Sequence, residues 1–105
     1  MNKDAIISDL QTKHFEVFEV ADENSPFGLV IVRKLSKLEY RRWKEQRDDD
    51  GRKHLADEFV AATCIVYPDA VATQKLIDNY PVFASSVLGE VFKISGAVNL
   101  SAKKL

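Results

Sequence analysis

Two Tyr-Pro pairs divide the second half of this 105-residue sequence, and they limit its possible folds more than any other feature. Proline lacks an amide N–H and has a fixed φ, so it fits the first turn of a helix and disfavours helical geometry in the residue before it. Tyr67-Pro68-Asp69 and Tyr80-Pro81 therefore predict two separate short helices, over residues 70–79 and 82–95. Gly96 is expected to cap the second helix at its C-terminal end.

Two further helices are predicted upstream of these pairs. Ser36-Lys37-Leu38-Glu39 has the spacing of a capping box, in which the serine oxygen accepts a first-turn N–H and the glutamate reaches back to the cap. It predicts a helix over residues 36–47, ended by Asp48-Asp49-Asp50-Gly51. The next helix is expected from residue 53 to about 65. Its core face is predicted from the apolar residues at helical spacing, which are Leu55, Phe59, Ala62 and Val66.

The N-terminal third favours strands. Residues 2–12 fit either a short amphipathic helix or a mobile arm. Residues 14–20 and 27–33 are rich in β-branched and aromatic side chains, and a polar segment with turn-forming residues separates them. This pattern predicts an antiparallel hairpin. Because a lone hairpin is marginal in water, one of its faces must pack on helices or pair with another chain, so a homo-oligomer is possible.

The predicted elements together indicate an α+β, mostly helical fold, with an N-terminal β-hairpin packed on a bundle of about four helices. A chain of this length is expected to hold one core. We predict an arm or short helix over residues 1–13, a single globular domain over 14–96 and a flexible tail over 97–105.

Composition indicates a soluble protein of the reducing cytoplasm. Apolar residues make up 46% and charged residues 30% of the chain, which is typical of a globular domain. The single cysteine, Cys64, cannot form an internal disulfide. No apolar run reaches the length of a signal peptide or a membrane span. The net charge of -1 predicts no general attraction to nucleic acid or to a membrane.

The residue pattern favours a protein that is not an enzyme. Nucleophilic catalysis needs a serine or cysteine beside a histidine, but Cys64 and His54 are ten residues apart on one predicted helix, and His14 lies on a strand. One cysteine and two distant histidines supply no metal-ligand spacing. Asp48-Asp49-Asp50-Gly51 lacks the alternating pattern of a calcium loop. We therefore expect no metal and no cofactor.

Two helices carry alternative interpretations. The basic stretch 40–47 interleaves cations with aromatic residues, as in some nucleic-acid surfaces, but Glu39 and Glu45 lie among the cations and Arg41 is placed to pair with Glu45. An ordinary solvated face is favoured over a DNA-binding one. The broadly apolar helix that follows Pro81 is either the core helix of a small bundle or part of a groove for a partner's amphipathic helix.

Over residues 27–96, the motifs follow one another in a characteristic order. A strand-like run is followed by Leu35-Ser36-Lys37-Leu38-Glu39-Tyr40 opening a basic helix, and a later helix ends in Ala61-Ala62-Thr63-Cys64-Ile65-Val66-Tyr67-Pro68-Asp69. Leu76-Ile77-Asp78-Asn79-Tyr80-Pro81 and a final apolar helix complete the pattern. The most specific element is Cys64-Ile65-Val66-Tyr67-Pro68-Asp69 followed by Tyr80-Pro81. This order of motifs resembles the small tail assembly chaperones of tailed bacteriophages and prophages.

The resemblance implies a non-catalytic factor in the cytoplasm of a bacterial host, without cofactors. It would bind the phage tape-measure protein, a long helical polypeptide, and keep it soluble while the tail-tube protein polymerises around it. In many such chaperones a ribosomal frameshift yields a longer form that recruits the tail-tube protein. The alternative is a structural head–tail connector or tail completion subunit, which would assemble into rings.

Residue type predicts the contacts with the partner, because large apolar and aromatic side chains dominate binding energy. Two are aromatic residues of the basic helix and four belong to the final apolar helix. They are Tyr40, Trp43, Phe83, Val87, Val91 and Phe92.

Overall fold

A computed structural model describes residues 2–14, 16–49, 51, 53–97 and 100–105 of the chain. Within these residues the fold is α+β and mostly helical, as predicted, and the N-terminal hairpin packs on helices. The elements in chain order are α1 (Lys3–Lys13), β1 (Phe18–Ala21), β2 (Val30–Val32), α2 (Lys37–Arg47), α3 (Lys53–Cys64), β3 (Ile65–Tyr67), α4 (Ala70–Asn79) and α5 (Phe83–Ile94).

The sheet has three antiparallel strands in the order β1-β2-β3, one more than the predicted hairpin. The additional strand begins where α3 ends, and the Arg33 N–H donates to the Cys64 carbonyl at 2.9 Å across this junction. Ile65 and Val66 lie in this strand although the helical pattern predicts that they end α3, because a three-residue strand is too short for periodicity to distinguish it from a helix end. The first two strands are also shorter than predicted, starting at Phe18 and Val30. Residue 15 of the predicted first strand lies outside the described residues.

The middle strand, β2, is buried on both faces. Val30 and Val32 point to one side and join the main core with α3 and α5, whereas Ile31 points to the other and packs with Leu10 of α1. Alternate strand residues face opposite sides of a sheet, so one apolar run can serve two cores. The segment predicted as a helix or an arm is thus a helix that covers the second face of the sheet.

The predicted helix ends are present. The Glu39 N–H donates to Ser36 Oγ at 3.2 Å and the Ser36 N–H donates to Glu39 Oε1 at 2.9 Å, which completes the capping box of α2. Asp69 accepts the Ala72 N–H at 2.9 Å and so caps α4. Gly96 follows α5 with φ of 110°, a conformation that suits glycine.

The predicted core face of α3 is wrong. Leu55 and Phe59 are each 43% exposed, and Val66 lies in β3. The buried residues of this helix are smaller on average: Ala56, Val60, Ala61 and Cys64. α3 lies between α2 and α5, and small side chains let helices approach closely. The helix therefore has two apolar faces, of which the one with smaller residues is buried.

The final helix, α5, is the core helix of the bundle. Its buried residues are Phe83, Ala84, Val87, Leu88 and Val91. In the described part of the chain, no helix is both long and apolar enough to cross a membrane.

Candidate partner-binding groove

Three aromatic side chains from two helices meet at the surface. The ring of Trp43 on α2 contacts that of Phe92 on α5 edge to face, with 4.8 Å between centroids and 83° between planes. Tyr40 lies beside both rings, at 5.7 Å from Trp43 and 6.2 Å from Phe92. Such separations give favourable aromatic pairs. Three of the six predicted contact residues are therefore neighbours.

Trp43 is held in place from α3. Its indole N–H donates to Asp57 Oδ1 at 3.0 Å, and the Arg47 guanidinium donates to the same oxygen at 3.1 Å. The guanidinium carbon of Arg47 also lies 5.3 Å from the centre of the Trp43 ring, within range of a cation–π contact. One carboxylate on α3 thus orients both the ring and the cation beside it.

The start of α2 is fixed by a paired salt bridge. The two terminal nitrogens of Arg33, just after β2, donate to the two carboxylate oxygens of Glu39 at 2.9 and 2.7 Å. Hydrogen bonds from Arg33, opposed in part by desolvation and helped by Ser36, lower the pKa of Glu39 to about 2. The same contact raises the pKa of Arg33. The bridge sets the position of α2 relative to the sheet.

An open groove of about 490 Å³ runs between the start of α2 and the end of α5. The Leu35 N–H donates to Ser95 Oγ at 3.0 Å and joins the loop before α2 to the end of α5. α5 terminates there with the Gly96 N–H donating to Lys93 O at 3.3 Å and the Ala97 N–H donating to Phe92 O at 2.8 Å. The lining residues are Leu35, Ser36, Lys37, Tyr40, Trp43, Phe92, Ser95, Gly96 and Ala97.

The groove is lined mainly by apolar and aromatic side chains, and Lys37 of α2 is its one charged lining residue among those that the structure describes. Lys37, Arg41 and Lys44 have no ion-pair partner among the residues that the structure describes. The pair predicted between Arg41 and Glu45 is accordingly not formed. By contrast, two other cations are paired: Arg33, just before α2, with Glu39, and Arg47, the last residue of α2, with Asp57.

The other three predicted contacts lie in the core. Phe83 and Val87 are 4% exposed and line a second, smaller open pocket between β1 and α5, and Val91 is fully buried. None of the three lines the groove. Sequence reasoning missed Leu35 and Ser95 as groove residues. No local pattern identifies them, because the groove forms where the loop after β2 meets the end of α5, some 60 residues further along the chain.

The residues tested for catalytic chemistry are placed apart from the groove. Cys64 is fully buried, and desolvation raises the pKa of its thiol to about 11. Within the described ranges, no group of three or more histidine, cysteine, aspartate or glutamate side chains is placed to hold a metal ion.

Comparison with known proteins identifies a fold and no family. No family model matches the sequence, and no curated protein matches it. A solved structure of an uncharacterised protein, rbstp2171 from Bacillus stearothermophilus, is similar to this chain with a TM-score of 0.78. The alignment covers 93% of this chain and 99% of that one at 16% sequence identity. At that identity the likeness shows a shared fold only.

Proposed function

We propose that this protein is a non-catalytic tail assembly chaperone of a phage or prophage, acting in the cytoplasm of the bacterial host. It binds the tape-measure protein and keeps it soluble during tail morphogenesis. The observation that carries the proposal is the groove beside Tyr40, Trp43 and Phe92, which leaves aromatic surface in contact with solvent. The resemblance of residues 27–96 to that family supplies the identity of the partner.

The groove suits one turn or two of an apolar helix face. Tyr40 is 44% exposed, and it lies against two rings that are half-buried and held by neighbouring elements. A rigid aromatic anchor costs little side-chain entropy on binding, and tyrosine and tryptophan are over-represented among residues that dominate interfaces. A tape-measure protein presents repeated amphipathic helix, the kind of segment that binds in a groove through side chains spaced three and four residues apart.

The same proposal includes a second partner. A longer, frameshifted form would carry additional residues after the present C-terminus and recruit the tail-tube protein. The chain leaves α5 at Gly96 and Ala97, which line the groove, so an extension after residue 105 would be joined to the groove through the residues that follow Ala97.

Co-expression tests the proposal. The chain is produced together with the long helical protein encoded nearby, and the soluble, co-purifying fraction of that protein is measured. We expect wild type to keep it soluble and Tyr40→Ala to reduce the recovered complex about tenfold, since interface aromatic residues contribute about 1–2 kcal/mol or more. Tyr80→Ala is the matched control, because Tyr80 is also a tyrosine, is 39% exposed and contacts Phe27 instead of the groove.

Two results would contradict the proposal. One is a helical partner that stays insoluble and does not co-purify with wild type. The other is an equal loss of complex in the Tyr40→Ala and Tyr80→Ala variants when both are shown to be folded by circular dichroism, because a specific groove predicts a difference.

A further inference from the structure

We infer that the segment bound in this groove is an acidic amphipathic helix, with apolar side chains against Tyr40, Trp43 and Phe92 and carboxylates facing Lys37 and Lys44. This inference rests on the proposed function and adds to it the chemistry of the bound segment. It selects, among the many amphipathic stretches of a long helical partner, those whose apolar stripe is bordered by glutamate or aspartate.

The positions of the two lysines relative to Tyr40 carry the first step. Lys37 is three residues before Tyr40 and Lys44 is four residues after it on α2. Residues at these spacings are neighbours on one helix face. The exposed tyrosine ring is therefore flanked along the helix by two ammonium groups, and Lys37 itself lines the groove.

The second step is that these two lysines have no carboxylate partner, whereas two arginines near the ends of α2 have one. Arg33 and Arg47 are each bound to a carboxylate of this chain, whereas Lys37, Arg41 and Lys44 have no such partner within the described part of the chain. The chain thus pairs Arg33 and Arg47 with its own acids, whereas Lys37, which lines the groove, and Lys44, one helical turn after Tyr40, are left for a partner. A partner with carboxylates would complement it, and complementary charge also speeds the encounter.

The third step concerns the direction of the helix. The groove borders the N-terminal end of α2, where the helix dipole adds to the charge of Lys37. Beyond Lys44 the charge along the helix becomes mainly negative, because Glu45, Asp48 and Asp49 follow. The positive charges beside Tyr40 therefore give way to acidic residues towards the C-terminal end of α2.

Other occupants fit less well. The chain's own tail carries Lys103 and Lys104, which have the same sign as the groove side of α2. Nucleic acid would supply negative charge, but the acids that follow Lys44 and the net charge of -1 disfavour a continuous phosphate track. A protein segment with local carboxylates matches both the apolar centre and the short positive border.

Trp43 is the only tryptophan of the chain, so its emission reports directly on the groove. The probes are two synthetic helical peptides of about 20 residues without tryptophan, with the same leucine stripe, bordered by glutamate in one and by lysine in the other. We expect titration of the full chain to change Trp43 emission, with affinity about tenfold higher for the glutamate-bordered peptide at low salt. The preference should shrink at about 0.5 M salt, where surface charges are screened.

Charge reversal locates the effect. In Lys37→Glu/Lys44→Glu the preference should disappear or invert. The control Lys75→Glu/Lys104→Glu makes the same change in net charge at exposed positions outside the groove and should keep the preference of wild type. Equal affinity of wild type for the two peptides would overturn the inference. Displacement of the glutamate-bordered peptide by a short DNA duplex at physiological salt would overturn it in favour of nucleic acid.

The inference and the proposed function fail separately. If wild type captures the co-expressed helical protein but shows no preference between the peptides, the chaperone role stands and the acidic partner is rejected. If the preference is present but the helical protein is not captured, the groove binds acidic helices and the assignment to phage tails is rejected.

Discussion

At the scale of single residues, two carboxylates determine where α2 lies. Glu39 accepts hydrogen bonds from both terminal nitrogens of Arg33. Asp57 accepts hydrogen bonds from the Trp43 indole and the Arg47 guanidinium. Charge-assisted and paired contacts of this kind are stronger than neutral hydrogen bonds. The aromatic groove therefore depends on ionic contacts just behind it.

The depressed pKa of Glu39 predicts a specific loss of stability in acid. Because the folded-state pKa of about 2 is below the ordinary value of 4.5, the carboxylate contributes stability that is fully present above about pH 5 and is lost as pH falls through about 2. The contribution should be roughly 2 kcal/mol, less than the full pKa difference converts to, because solvent screens this partly exposed pair. Urea unfolding of wild type and Glu39→Gln should show a stability gap at pH 6 that narrows steadily towards about pH 2. A gap that does not change with pH would contradict this account.

The buried thiol predicts slow chemical modification. Cys64 is fully buried and its pKa is raised to about 11, so at neutral pH the folded chain presents almost no thiolate. Iodoacetamide should label it only as fast as the protein unfolds, and urea-unfolded protein should react at the rate of a free cysteine. Rapid labelling of the native protein with unchanged circular dichroism would show that the thiol is accessible.

Several residue-scale features were predictable because they are local. Ser36, Asp69 and Gly96 act on backbone groups a few residues away, so their roles follow from spacing alone. The bond between Trp43 and Asp57 joins two helices and has no signal in either one. Only half of the predicted contact residues line the groove. Residue type shows that a side chain is apolar, but it does not show which way the helix that carries it is turned.

At the scale of elements, the orientation of α3 is the main correction. The face marked by Leu55 and Phe59 is turned outward, and Val60 is fully buried. We expect Val60→Ala to cost about 2 kcal/mol of unfolding free energy and Leu55→Ala less than about 1 kcal/mol, although the leucine change removes more atoms. Chemical denaturation of the two variants measures this order. The reverse order would mean that the face with Leu55 and Phe59 is the buried one, as the sequence pattern predicts.

Replacement by alanine should change stability in opposite directions at two glycines, one within α5 and one just after its end. Gly89 is an exposed helical residue with open space where a Cβ would lie, so Gly89→Ala should stabilise by about 0.5–1 kcal/mol. Gly96 has φ of 110°, and Gly96→Ala should destabilise by about 1 kcal/mol or more. Thermal melts of the pair test the predicted cap. Stabilisation by Gly96→Ala would mean that α5 does not end in this conformation.

The elements missed by sequence reasoning are the short ones. Helices of ten to twelve residues carry enough repeats of the apolar pattern to be located within one or two residues. β3 has three residues, and its existence depends on pairing with β2, which is distant in sequence. A strand of that length is specified by its neighbour more than by its own residues.

At the scale of the whole molecule, the sheet separates two packed layers. α1 covers one face, where Leu10 packs with Ile31 of β2. α3 and α5 cover the other face, where Val60 of α3 packs in one core with Val30 and Val32 of β2. The fold class follows from the list of elements. The groove does not, because it forms between the segment 35–43 and the segment 92–97, and only the path of the chain around the sheet brings these together.

Amide hydrogen exchange on the co-purified complex tests the central claim, that the groove between α2 and α5 binds the helical partner. Exchange is compared for the free protein and the complex, peptide by peptide. We expect protection in peptides covering residues 35–44 and 92–97, with little change in α4 and in the outward face of α3. Protection confined to the sheet edge or to α3, with the groove peptides unchanged, would contradict it.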